Sequence, residues 1–218
     1  MQRLFGAYLE RREKKVENVE KVKELKPGFV RSSAVFGKNM VLLFHVDKNV
    51  ILDNHNHPHT QFGYCFTGEF DFNVNGKGKR VTEGESYLID ANIPHSAVAV
   101  TEYYSMDIKV ITTSGSPMEI SYDVMETVTD TETIHIQKCM IGEKVIYKIT
   151  VKQKRVKIPF LGRGDEKFCL MADKTMDIEF SGEIPVTVEP MKIYCIDGKE
   201  IHNMQVKQKD RVFFIVEV

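Results

Sequence analysis

The stretch HNHPHTQFGYCFTGE, residues 55–69, places histidines at 55, 57 and 59, three of the seven in the chain. Successive side chains of a β-strand face opposite sides, so positions 55, 57, 59 and 61 share one face. On that face His55 and His57 can both point into the interior of a small barrel, and Gln61 offers an amide oxygen. A further ligand must come from another strand, and His95 closes the later run YLIDANIPH. Three imidazoles and one oxygen suit a divalent transition metal: Mn, Fe, Co, Ni, Cu or Zn. They suit Mg or Ca poorly, because those ions favour all-oxygen shells.

The surrounding texture is that of strands. NMVLLFHVD, YCFTGEFDFNVNGKG and ESYLIDANIPH are rich in Val, Ile, Phe and Tyr and are separated by turn residues, with VNGK as a hairpin turn. Farther on, Val145, Tyr147, Ile149 and Val151 alternate with lysines and threonine, the pattern of a half-buried strand. Residues 4–25 read differently. Leu4, Phe5, Tyr8, Leu9, Val16, Val19, Val22 and Leu25 recur at spacings of three and four until KPG, which predicts a helix. TTSGSPME, residues 112–119, is the best linker.

The second half resembles the first. YLIDANIPH and YCIDGKEIH share Tyr, Ile, Asp and His, with Tyr87 matching Tyr194 and His95 matching His202 at a shift of 107 positions. A period near half the chain argues for duplication of a whole domain. The expected architecture is all-β: an N-terminal helix in residues 1–28, a first barrel in 29–112 and a second in 120–218.

Bulk properties exclude several classes. Thirty basic and 31 acidic residues give no pull toward nucleic acid or anionic membranes. No apolar run approaches the ~18 residues of a membrane span, and MQRLFGAYLERREKK lacks the apolar core of a secretory signal. Four dispersed cysteines read as reduced thiols, and a cytoplasmic location follows as the expectation.

The ligand spacing resembles that of the cupins, a superfamily of jelly-roll barrels. Their first motif, H-x-H, three or four residues, an acid or amide, six residues, Gly, is matched by His55, His57, Gln61 and Gly68. The second runs from a Gly to a His eleven positions later, matched by Gly84 and His95. Asn49 and Asn92 stand where glycines are usual, Asp90 where a Pro is, and Ala99 where an Asn is. Using His57 and His59 as the pair would put Gly63 or Tyr64 at the fourth ligand position, so the earlier register wins and His59 becomes a rim residue that binds substrate. At the shift of 107 the ligands become Gly162, Gly164, Phe168 and His202, which predicts a second barrel without metal. The resemblance therefore implies a tandem cupin, paired as a homodimer through edge strands.

Gln61, with PHSAVA after it, further resembles small cupins of pectin and alginate degradation. In that group an Asp about a dozen residues past the last ligand acts in catalysis, which marks Asp107; the usual continuation is replaced by Lys109 and VITTSG. Four neutral donors leave the full +2 on an ion, favouring an anionic small-molecule substrate. The implied activity is isomerase, tautomerase or lyase chemistry on an anionic sugar or a keto or hydroxy acid. Oxygenase chemistry and non-enzymatic small-molecule binding are the alternatives.

Overall fold

Antiparallel strands dominate the computed structural model, which describes residues 16–112, 120–159, 161, 164, 166–180 and 183–218. The first group comprises β1 (Val16–Asn18), β2 (Lys21–Lys26), β3 (Phe29–Phe36), β4 (Asn39–Val46), β5 (Ile51–His55), β6 (Thr60–Thr67), β7 (Glu69–Val74), β8 (Lys77–Thr82), β9 (Ser86–Ile89), β10 (His95–Ala99), β11 (Tyr103–Val110) and β12 (Ile120–Tyr122). The second comprises β13 (Glu126–Asp130), β14 (Ile134–Ile141), β15 (Lys144–Val151), β16 (Val156–Lys157), β17 (Lys167–Ala172), β18 (Met176–Phe180), β19 (Val186–Val188), β20 (Tyr194–Asp197), the single-turn helix α1 (Gly198–Ile201), β21 (Met204–Val206) and β22 (Arg211–Glu217).

The duplication is explicit in the topology. One large sheet runs β12-β9-β6-β11-β4-β3-β2 and the other β1-β20-β17-β22-β15-β14-β13, strand for strand in the same order. Each faces a four-stranded sheet, β5-β10-β7-β8 or β16-β21-β18-β19. The outermost strands cross over: β1 precedes the first barrel yet pairs with β20, while β12 follows β11 yet pairs with β9.

The N-terminal helix over 4–25 requires correction. Residues 1–15 lie outside the described residues, and Val16–Asn18 and Lys21–Lys26 are strands. Val16, Val19 and Val22 mimic helical spacing, but valine is β-branched and its pairing partners decide its conformation. Val16 sits opposite Ile196 inside the second barrel, whereas Val22 is 63% exposed, so the apolar stripe is not one buried face.

Three apolar clusters hold the fold. Phe29, Val46, Phe70, Phe72, Tyr87 and Tyr103 fill the closed end of the first barrel. Phe168, Leu170, Ile178, Phe180, Ile196 and Phe213 belong to the cluster that fills the second. Between the barrels the outward faces of the large sheets meet, and the Phe214 ring lies 4.7 Å from Tyr64, 5.7 Å from Phe66 and 6.5 Å from Phe62. Consequently β6 is covered on both sides, and its side chains are buried from Thr60 to Phe66. Asn49 and Asn92 adopt positive φ, 68° and 65°, a region asparagine enters more readily than other residues with a Cβ. Their replacement of the usual glycines therefore preserves both turns.

Phe214→Ala should open a cavity at the centre of the inter-barrel cluster. A loss of about 3–5 kcal/mol is expected, measured by urea unfolding; a loss below about 1 kcal/mol, far under the range for a buried Phe, would show that the barrels are not held together there.

Candidate metal centre

His55 ends β5 and His95 begins β10, and strand pairing sets the two opposite one another. Their ring centroids are 4.3 Å apart. His57 follows β5 by two residues and brings its ring within 5.0 Å of His95 and 5.9 Å of His55. The loop is tied down where the Asn92 N–H donates to the His57 carbonyl at 2.8 Å. One ring nitrogen from each histidine lies within 4.8 Å of the others.

The orientation of the rings is set from behind. Nδ1 of His55 donates to the Asp53 carbonyl at 2.9 Å, that of His57 to His59 at 3.0 Å, and that of His95 to Ile93 at 2.8 Å. Each ring thus commits its proton to the backbone and keeps Nε2 as a lone pair, the tautomer a metal requires. Burial, the first cause, together with the Lys109 charge holds His57 at a pKa of about 4, and burial does the same for His95. Both are neutral at neutral pH, as ligands must be.

Gln61, on β6, is only 2% exposed, and its Oε1 lies 2.8 Å from His57 Nε2. With Nδ1–H already committed, two lone-pair atoms face each other, an arrangement a shared cation relieves. Their separation is close to the ~3 Å between neighbouring donors each ~2.1 Å from one ion. The donor set therefore fits a divalent transition metal.

Behind the histidines the β6–β11 register carries further groups inward. Lys109 stands opposite Gln61, and Asp107 stands opposite Gly63. The Tyr87 hydroxyl donates to Asp107 Oδ1 at 3.1 Å. A Cβ at position 63 would come within 2.0 Å of the Tyr87 ring, so glycine there is what lets the phenol cross β6. Burial pushes the Asp107 carboxyl up, opposed by Lys109 and the Tyr87 hydrogen bond; burial likewise pushes Lys109 down, opposed by Asp107.

His59 lies beside the cluster but outside it: its ring is 5.8 Å from His57, and Nε2 donates to the Lys38 carbonyl at 3.2 Å. Tyr64 and Phe66 face the second barrel rather than the chamber. No motif marks Tyr87 or Arg31 as a site residue. Alternation alone would have put Arg31 on the inward face, two residues from buried Phe29. In the second barrel Phe168, Leu170 and Ile215 occupy the places of Gln61, Gly63 and Asp107 by register, and all are buried. Gly162 lies outside the described residues, and Gly164 abuts His202.

Residues 42–107, which contain all four clustered side chains, match the cupin domain model. No curated protein matches the chain in sequence. Among solved structures, AerE from Microcystis aeruginosa superimposes with a TM-score of 0.70 at 17% identity, covering 94% of this chain and 100% of that one. Vicilin from Corylus avellana (hazelnut) gives 0.67 at 6% identity over 94% and 85%. Oxalate decarboxylase from Bacillus subtilis, a protein with Mn(II) centres, gives 0.62 at 10% identity over 94% and 77%. These likenesses establish the two-barrel fold. Among the described residues no helix is long and apolar enough to cross a membrane.

Half-buried His57 and buried His95 make stability depend on pH. Their pKa is near 4 when folded against 6.5 when free, so the unfolded chain takes up protons that the folded one refuses. In chelator, melting temperature should hold above pH 6.5 and fall as pH drops toward 4. A His57→Gln, His95→Gln double variant should melt with a shallower slope across that window; an unchanged slope would refute the contribution.

Proposed function

We propose that the first barrel, whose residues 42–107 match the cupin domain model, holds a divalent transition metal and acts on a small anionic oxyacid. His55, His57, His95 and Gln61 are the ligands. The observation that carries the reading is the convergence of three imidazoles whose Nδ1–H groups are all committed to backbone carbonyls. When bound, the ion polarises a substrate oxygen as a Lewis acid, strengthened by four uncharged donors.

The chain's own residues supply the rest. Asp107, buried and opposite Gly63, is placed one step in from Gln61 along the same face. Its carboxylate takes a proton from one carbon of the substrate and returns it at a neighbouring carbon. Substrate and product then have the same atoms, and the carboxylate ends as it began. Tyr87 holds Asp107 Oδ1 and fixes its orientation. Burial raises the basicity of Asp107 and so favours its accepting that proton. His59 stands at the rim, beside His57, where substrate enters. The favoured reaction is isomerisation or tautomerisation of a keto acid, hydroxy acid or uronate.

Elemental analysis should find stoichiometric metal in the purified protein and none in His57→Ala or His95→Ala, while His202→Ala keeps it. Unchanged metal in the first two would refute the ligand assignment. Asp107→Asn should keep the metal but lower turnover on the order of 10²–10⁴-fold. The readout is deuterium uptake from D₂O into a panel of 2-oxo acids, 2-hydroxy acids and uronates, with dissolved oxygen followed in parallel. Oxygen consumption would replace this reading with an oxygenase, and binding without exchange would replace it with a carrier.

A further inference from the structure

Two cations in the first barrel are left without a counterion by the site just described. Lys109 is 8% exposed and sits opposite Gln61, with neither a carboxylate nor a hydrogen-bond acceptor holding its ammonium among the described residues. Arg31 projects from the inward face of β3, and its Nε is buried without a hydrogen-bond partner. The two sense one another: Arg31 opposes the charge on Lys109, and only Asp107 supports it. Burying cations unpaired is costly, and a divalent ion beside Lys109 adds to the cost. Asp107 therefore faces the Lys109 charge and would face that of a bound ion, and no carboxylate is paired with Arg31 among the described residues.

Register orders these groups along the chamber. Gln61 and Lys109 form one row. Gly63, Asp107, Leu42 and Ser33 form the next. Cys65, Ser105, Phe44 and Arg31 form the third, toward the closed end. Asp107 thus lies between the ligand row and the row of Arg31.

Resting on the metal-centred reading above, we infer that Arg31 forms an anion subsite beyond Asp107 while Lys109 adds positive charge at the ligand row, so that the substrate is a dianionic acid bearing a carboxylate at its far end. One end meets the ligand row and the other meets Arg31, deeper in the barrel. The carbon that exchanges its proton lies between them, beside Asp107. Arg31 is the specificity-determining residue, since its planar fork matches a carboxylate.

Calorimetry on the protein loaded with the ion it purifies with compares oxaloacetate, 2-oxoglutarate and 2-oxoadipate with 2-oxobutyrate. The best dicarboxylate should bind about ten-fold or more tightly than the monocarboxylate. Arg31→Gln should erase that advantage while leaving 2-oxobutyrate affinity and metal content intact, and Arg31→Lys should recover part of it. Lys109→Gln, at the ligand row, should instead weaken mono- and dicarboxylates alike, and Arg31→Met keeps the test decisive if Arg31→Gln fails to fold. Equal binding of all four acids by the native protein, or equal loss for mono- and dicarboxylates in Arg31→Gln, overturns the subsite. Glutarate against butyrate in chelator reads the subsite without metal. A protein that proves metal-free yet prefers glutarate through Arg31 would sink the metal reading and keep the subsite; no preference there would sink the subsite as well.

Discussion

The pairing of β5 with β10 is the constraint on which the site depends. It sets His95 opposite His55, and because side chains alternate, a slip of one residue would turn one imidazole out of the chamber. Two neighbours hold that register. β10 also pairs with β7, where Ala97 faces buried Phe72 and His95 faces Val74, so the apolar alternation of one partner enforces the alignment of the other. The loop after β5 is anchored by the Asn92 N–H, and the Asn75 N–H bonds the Pro94 carbonyl just before His95. Backbone carbonyls complete the arrangement by fixing each ring's tautomer.

The two barrels divide the work that duplication made redundant. By register Gln61 corresponds to Phe168, Gly63 to Leu170 and Asp107 to Ile215, so the amide and the carboxylate of one chamber have apolar counterparts in the other. The second interior gains the burial energy that the first gives up by enclosing charges. Its outer sheet then clamps the wall that carries Gln61 and Asp107, through Phe214 against Phe62, Tyr64 and Phe66. A wall covered on both faces is rigid, and a rigid wall is what a set of donors at fixed spacing needs.

Legibility in the sequence followed the distance over which each feature is encoded. Histidines two residues apart share a face in extended chain, so His55 and His57 were readable together once the segment was read as β, and motif spacing reached His95. The internal repeat was readable because Tyr87 and Tyr194 occupy the same place in the two barrels, each beside a strand whose register matches. Alternation turned Arg31 inward without marking it for a role, and Tyr87 was not readable as a site residue, because only strand pairing sets it opposite Gly63. The helix over residues 4–25 failed within its described part for the same reason. Val16 takes its conformation from Ile196, far away in sequence, and local spacing carries no trace of that partner.

The uncharged fourth donor and the buried lysine are best understood together. Lys109 lies directly opposite Gln61, so a glutamate at position 61 would have an ammonium as its cross-strand neighbour. The carboxylate would pair with the lysine, dividing its charge between two cations and removing Lys109 from the chamber's supply of positive charge. An amide avoids that competition. Its carbonyl stays aimed at the histidines, 2.8 Å from His57 Nε2, and Lys109 stays unpaired for an incoming anion. In the second barrel the equivalent pair is Phe168 and Glu217, where the glutamate instead turns outward to meet Lys144 at 3.3 Å. The neutral glutamine is therefore coupled to the lysine across the strand, and the two set the charge of the site as a unit.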